Sequence, residues 1–300
     1  MTDINKGSVT IDHMIKSERE LAVYLEHLHK RGIKEICLDL EGDQGSFRYA
    51  YSISILQIFD GEQSAIVDVL KVGNIKVLRD LLTCKDIVKI MFACNNDIFM
   101  TQNVLGCTIS PVRDIAAGQK ILGIPINLSH YINMEKSQKD SFQRANWLRR
   151  PIHPELLRYA INDVLLLFKI ENEIGSQLEK LGLYDRYIAE SQAPGMKNYI
   201  INQQRQYSAK FPGYSRLQPE QKRLAATVWI FRELLGEHFN SPVGYLLSKK
   251  AMKLLIQQPD RVVASLEQEL NRHRRAEKRI SRAFIEKLYN EALRSDNLPG

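Results

Sequence analysis

Three strand-patterned runs crowd into residues 34–70, and their connections are too short for a crossover. In KEICLDLEG (34–42), Ile36 and Leu38 fall on one face and Cys37 and Asp39 on the other. A polar stretch, GDQGSFRYAY, breaks this run before SISILQIFD (52–60), and a GEQ turn then leads into SAIVDVL (64–70). Strands joined this closely favour an antiparallel meander. Beyond residue 70 the pattern changes. Residues 74–83 read as helix, 87–92 as strand, 96–105 as helix, and 111–115 as an extended segment leading into a helix near residue 122. Strands alternating with helices imply parallel additions to the same sheet. A helix over 16–31 precedes the meander, and 128–181 is mostly helical. The fold class is therefore α/β, a mixed sheet flanked by helices.

The chain changes character again near residue 191. Pro194, Gly195, Pro212, Gly213 and Pro219 punctuate residues 191–219, and helical patterns follow over 220–239, 248–257 and 284–293. The reading is a first domain over 1–190, a linker over 191–214 and a small all-helical domain over 215–293. Charge follows the same division. Residues 196–300 hold 19 Lys and Arg against 10 Asp and Glu, leaving 23 against 25 for residues 1–195. A basic rear half attracts polyanions. The block RHRRAEKR supplies Arg272, Arg274, Arg275, Lys278 and Arg279 as candidate phosphate contacts, or else a solvated helix or loop. Tyr199, Tyr207, Phe211 and Tyr214 either stack on bases or pack the domains together.

No apolar run approaches the roughly 20 residues of a membrane span, and the polar start MTDINKGSV lacks an export signal, so a cytoplasmic protein is expected. Cys37, Cys84, Cys94 and Cys107 form no CxxC pair, so free thiols are expected and zinc is not.

Three acidic groupings could carry chemistry. Asp39 and Glu41, two apart on a strand, point the same way, and side-by-side anions there call for a cation or solvent. Asp97 follows FACNN at the start of a helix, where capping alone would explain it. Tyr159 and Asp163 lie four apart in LLRYAINDVLLLF and share a helix face. Each taken alone has an ordinary structural reading.

Taken in order, LDLEG, NNDIF and YAINDV resemble the motifs of the DEDD exonuclease superfamily. The tyrosine four before the last aspartate resembles its DEDDy branch. SILQIFDG, the Arg113–Asp114 pair before an alanine-rich helix, and QRANWLRRPI (143–152) are similar to segments of ribonuclease D, so the resemblance covers about residues 20–190. The rear half looks like an HRDC domain, with Trp229 and Arg232 on its first long helix. Two positions depart from the pattern: Phe92 stands where histidine is frequent, and Leu40 where aspartate or threonine is. Altered substrate contacts with catalysis retained are the expected result.

The resemblance implies a ribonuclease H-like sheet followed by an all-α HRDC-like domain. It also implies a 3'-5' exoribonuclease that releases nucleoside 5'-monophosphates from RNA with a free 3' end, a tRNA precursor being the family expectation. Two divalent ions, Mg²⁺ or Mn²⁺, would be held by Asp39, Glu41, Asp97 and Asp163. Asp39 would bridge both ions, Glu41 and Asp163 would hold the one that activates water, Asp97 would hold the second through water, and Tyr159 would orient the nucleophile. Carboxylate-only ligands suit hard cations. No organic cofactor and no membrane partner is implied. The competing readings are a DNA exonuclease and a scaffold that has lost activity.

Overall fold

The computed structural model describes residues 11–73, 75–128, 131, 136–201, 203–272, 274 and 278–299. The chain forms two compact units. The first comprises residues up to Asp43 and Tyr51–Ile200, and the second comprises Gln44–Ala50 and Ile201 onward.

In the first unit the chain runs through β1 (His13–Ile15), α1 (Glu18–Lys30), β2 (Glu35–Gln44), β3 (Tyr51–Phe59), β4 (Ser64–Asp68), α2 (Val69–Val72), α3 (Ile75–Thr83), β5 (Val88–Met91), α4 (Asn95–Val104), β6 (Val112–Asp114), α5 (Ile115–Ile121), α6 (Lys136–Gln143), α7 (Pro154–Leu165), α8 (Leu167–Lys180) and α9 (Tyr184–Gln192). Among the described residues the strands form one sheet in the order β1-β4-β3-β2-β5-β6. β3 and β4 are antiparallel, Gln57 opposite Ile66, while β2, β5 and β6 run parallel. The mixed sheet that the connection lengths favour is thus present. It also has an edge strand that the sequence does not announce. β1 pairs parallel to β4, His13 opposite Ala65, and is too short to display an alternating pattern. Just before it, the Asp12 carboxylate accepts the Ser64 N–H at 2.7 Å.

The alternation in β2 sorts its side chains between two cores. Ile36, Leu38 and Leu40 join Leu21, Leu28, Leu78, Leu81 and Ile98 from α1, α3 and α4. Cys37 joins Tyr159, Val164, Leu167, Ile170 and Tyr187 from α7, α8 and α9. Leu40 therefore faces away from the Asp39 side. Gly42 ends the patterned run because β3 passes too close for a side chain. A Cβ there would collide with the carbonyl oxygen of Ser52.

The second unit is helical: α10 (Gln203–Lys210), α11 (Pro219–Phe239), α12 (Val243–Leu246), α13 (Lys249–Leu255), α14 (Val262–Asn271) and α15 (Arg282–Leu293). α11 carries Ala225, Val228, Trp229, Phe231 and Leu235 into a core closed by Met252, Leu266 and Ile285. The Arg232 guanidinium lies 4.1 Å from the Trp229 ring centre. Gly236 leaves room for the ring of Tyr49, which a Cβ would strike. Ser248 and Ser281 cap α13 and α15, accepting the N–H of Ala251 at 3.1 Å and of Phe284 at 3.3 Å.

The aromatics of residues 199–214 are used inside the units. Tyr199 packs against the first core and donates its hydroxyl to Asn95 Oδ1 at 2.8 Å. Tyr207 and Phe211 are buried in the second core, with Tyr214 against Tyr207 at 5.5 Å between ring centres. Among the described residues no helix is long and apolar enough to cross a membrane. The four cysteines are free.

Candidate active site

The site lies where the parallel pairing of β2 with β5 gives out: β5 stops at Met91 while β2 runs on to Gln44. Cys37 pairs with Ile90 across these strands. Asp39 lies two residues past this pair, and α4 starts five residues past Ile90. In open α/β sheets this end, beyond the carboxyl termini of the parallel strands, is where ligands bind. α7 packs over the same face and contributes Tyr159 and Asp163.

Carboxylate oxygens of Asp39, Glu41 and Asp163 all lie within 4.8 Å of one another. Asp97, third residue of α4 and 7% exposed, stands outside that trio. Its charge nevertheless acts on both Asp39 and Glu41. Carboxylates from three motifs, spread from residue 39 to residue 163, thus share one electrostatic environment.

That environment opposes ionisation. Burial, then the neighbouring carboxylates, push the proton affinities of Asp39 and Glu41 well above the ordinary carboxylate range. Burial alone raises Asp163, to about 6, against the hydrogen bond from Tyr159 and the charge of Lys139. Asp97 rises to about 7, chiefly by burial and also through Asp114. An all-oxygen cluster that cannot hold its charges without help could hold a hard divalent cation. Asp39, Glu41 and Asp163 fit that role directly.

Tyr159 is 3% exposed and donates its hydroxyl to Asp163 one turn further on. Its phenol is driven far above its ordinary value, first by burial and then by the negative charge of Asp163 and Glu41. It therefore stays protonated and acts as a hydrogen-bond donor, not as a base. Its ring lies 5.1 Å from Phe142 and 6.3 Å from Trp147, centre to centre.

The QRANWLRRPI segment builds this support. Trp147 is fully buried and donates Nε1 to the Phe142 carbonyl at 3.1 Å. Arg150 grips Asp68 with two bonds, Nε to Oδ2 at 2.8 Å and a terminal nitrogen to Oδ1 at 2.7 Å. A further Arg150 nitrogen donates to the Trp147 carbonyl at 2.7 Å, and Ser54 Oγ donates to the same carbonyl at 2.5 Å. Arg150 thereby ties the loop carrying Trp147 to β3 and β4.

Sequence reasoning missed Lys139. It lies on α6, and its charge lowers the proton affinity of both Asp39 and Asp163. No motif marks it. A lysine on a polar helix carries no sequence signal until the fold brings it to the acidic cluster. Phe92 is partly buried against the core that contains Tyr159.

The basic block lies in the second unit. Arg272 pairs with Glu269 at 2.5 Å. Arg274 donates to the Leu270 carbonyl at 3.0 Å and lies 5.6 Å from the Phe239 ring centre. Lys278 and Arg279 are exposed, and Arg275 falls outside the described residues.

Comparison with known proteins agrees with this architecture. A family model described as 3'-5' exonuclease matches residues 13–179. The exosome complex exonuclease RRP6 of Saccharomyces cerevisiae is 24% identical over 264 residues, covering 81% of this chain and 35% of the relative. The ribonuclease D of Xanthomonas oryzae is 22% identical over 252 residues, covering 80% and 67%. The chain thus spans from about a third to two thirds of these curated relatives. Escherichia coli RNase D, described as an exoribonuclease involved in structured RNA processing, shares the fold with a TM-score of 0.72 at 21% identity, over 96% of this chain and 77% of that one. The catalytic core of RRP6 from Trypanosoma brucei shares it at 0.73 and 18%, over 96% and 82%. Because the family match extends over more than half of the sequence, this chain belongs to the 3'-5' exonuclease family, where its relatives are ribonuclease D-like.

Proposed function

We propose that the chain is a metal-dependent 3'-5' exoribonuclease that trims RNA 3' ends, tRNA precursors among them, and releases nucleoside 5'-monophosphates in the cytoplasm. The observation carrying this reading is the convergence of Asp39, Glu41 and Asp163 within 4.8 Å, beside the Tyr159 hydroxyl, which stays protonated. Its ribonuclease D and RRP6 relatives favour RNA over DNA.

Hydrolysis of a terminal phosphodiester requires a positioned nucleophile and neutralisation of charge on the leaving oxygen. Divalent ions, when bound, supply that neutralisation and make water more acidic. Asp39, Glu41 and Asp163 would hold them, with Asp97 as the fourth, more distant carboxylate. Tyr159 gives its one proton to Asp163, so its role is to orient a water that donates to the phenolic oxygen, while Asp163 and the aromatic wall of Phe142 and Trp147 hold the ring in place. Lys139 brings positive charge to the cluster. The helical unit acts as an HRDC-like nucleic-acid-binding domain, with Lys278 and Arg279 its available cations and Arg275 a further candidate.

The test is one precursor tRNA labelled at either end, incubated with and without Mn²⁺, beside DNA of the same sequence. Early release of the 3' label as a mononucleotide, only with metal and faster from RNA, is the expected result. Release from DNA alone would make the protein a DNA exonuclease. Binding without any release would make it a scaffold.

A further inference from the structure

Helix α4 brings Asp97 to the cluster, yet its start is not secured by its own sequence. The N-cap residue, Cys94, makes no side-chain capping bond. The residue before it, Ala93, has φ +54°, a left-handed conformation that is strained for a non-glycine residue. Something outside the helix must hold this turn.

That group is Asp114, at the end of β6 and 4% exposed. Its Oδ1 accepts the Ala93 N–H at 2.7 Å and the Ala116 N–H at 3.0 Å, so one oxygen joins the start of α4 to the start of α5. Its Oδ2 receives the Cys94 thiol at 3.6 Å. Its own N–H donates to Ser191 Oγ at 3.1 Å, which ties the carboxylate's backbone to α9. Asp114 is thus anchored on one side and clamps the turn four residues ahead of Asp97 on the other.

We infer that Asp114 is a positioning residue for the metal site: its Oδ1 fixes the strained Ala93 turn and through it the placement of Asp97. This rests on the reading of the acidic cluster as a divalent-cation site. Groups that orient metal ligands typically change metal affinity by about 10- to 100-fold when removed.

The two hydrogen bonds converge on one oxygen, and this makes the inference testable. Asp114→Asn keeps a carbonyl-type oxygen for both N–H groups but loses the charge. Asp114→Ala loses both. Mn²⁺ binding to the full chain, followed by titration calorimetry without substrate, is the readout. The expected result is about 10-fold weaker binding for Asp114→Ala and less than about 3-fold for Asp114→Asn. Leu178→Ala, a core truncation on α8, controls for lost stability and should leave Mn²⁺ affinity unchanged. If Asp114→Ala does not fold, Ala93→Gly supplies a background in which the left-handed turn is unstrained. The double variant should then bind Mn²⁺ several-fold more weakly than Ala93→Gly alone. Wild-type affinity in Asp114→Ala, equal losses in Asn and Ala variants, or no difference between the double and single variants overturns the inference. Absence of Mn²⁺ binding by the wild-type chain is a different result: it overturns the reading of the cluster itself.

Discussion

Tyr159 donates its hydroxyl to the carboxylate of Asp163, one helical turn away on α7. The bond joins the proposed orienting group to a proposed ligand of the candidate metal site, so the two roles should separate on mutation. Tyr159→Phe keeps the ring packed against Phe142 and leaves all four carboxylates in place. Mn²⁺ affinity should stay within a few-fold, while kcat falls about 100-fold as the nucleophile loses its alignment. Single-turnover trimming with calorimetry on the same preparation measures both. A large loss of metal affinity would make the hydroxyl a structural prop of the ligand set.

Trp147 acts on that same tyrosine from behind. Trp147→Ala removes a fully buried ring, and large-to-small changes of this kind cost about 3–5 kcal/mol. Urea unfolding should show that loss. Trp147→Phe should recover most of the stability, and with it kcat, because a ring again backs Tyr159.

Arg150 is a bidentate partner for a nearly buried Asp68, whose side chain is 5% exposed. Removing one partner of such a pair costs about 3–5 kcal/mol. Arg150→Met should therefore destabilise strongly, and Arg150→Lys should rescue it only in part. An ammonium cannot reproduce the two parallel bonds to the carboxylate and the bond to the Trp147 carbonyl. Full rescue by lysine would show that charge alone matters at this position.

The acidic cluster sets a pH dependence whose sign follows from its raised proton affinities. Asp163 at about 6 and Asp97 at about 7 bind protons more tightly in the fold than in the unfolded chain. In metal-free protein their contribution to stability is complete below about pH 4 and is lost as pH rises through 6 and 7. A divalent ion displaces these protons, so its affinity should grow over the same interval. The gap in melting temperature between Mg²⁺ and EDTA should therefore widen from about pH 5 to about pH 8. Parallel curves would mean that these carboxylates are not the ligands. Lys139→Met should move the response to higher pH by raising the proton affinities of Asp39 and Asp163 further.

The basic block divides into cations with internal duties and cations without. Arg274 is tied to the Leu270 carbonyl, so Arg274→Ala should lower the stability of the helical unit. Lys278 and Arg279 are exposed, and charge reversal there should weaken RNA binding while leaving unfolding unchanged. Each cation withdrawn from an RNA phosphate should make the slope of log affinity against log salt shallower by about one. Equal salt slopes for wild type and variant would remove Lys278 and Arg279 from the interface.

The sequence made the site more legible than its supports. Asp39 and Glu41 announce a shared face because strand alternation is strict, and Tyr159 and Asp163 because i and i+4 coincide on a helix. Asp97 and the convergence of three elements depend on the parallel register of β2 with β5, which no local pattern encodes; only the resemblance to known motifs points there. β1 escapes a sequence reading because three residues cannot show a period. The α14 helix over Val262–Asn271 escapes it because it stands between a Pro-containing turn and the charged block. Lys139 and Asp114 act through space on groups far away in sequence, so their roles become visible only in three dimensions.

Anomalous diffraction from crystals soaked in Mn²⁺ tests the metal site most directly. Manganese peaks should lie among the carboxylates of Asp39, Glu41 and Asp163, with one peak moving or vanishing in Asp39→Asn while the surrounding backbone is unchanged. Peaks elsewhere on the protein, or an empty cluster at saturating Mn²⁺ in crystals of the active wild-type enzyme, would contradict the assignment.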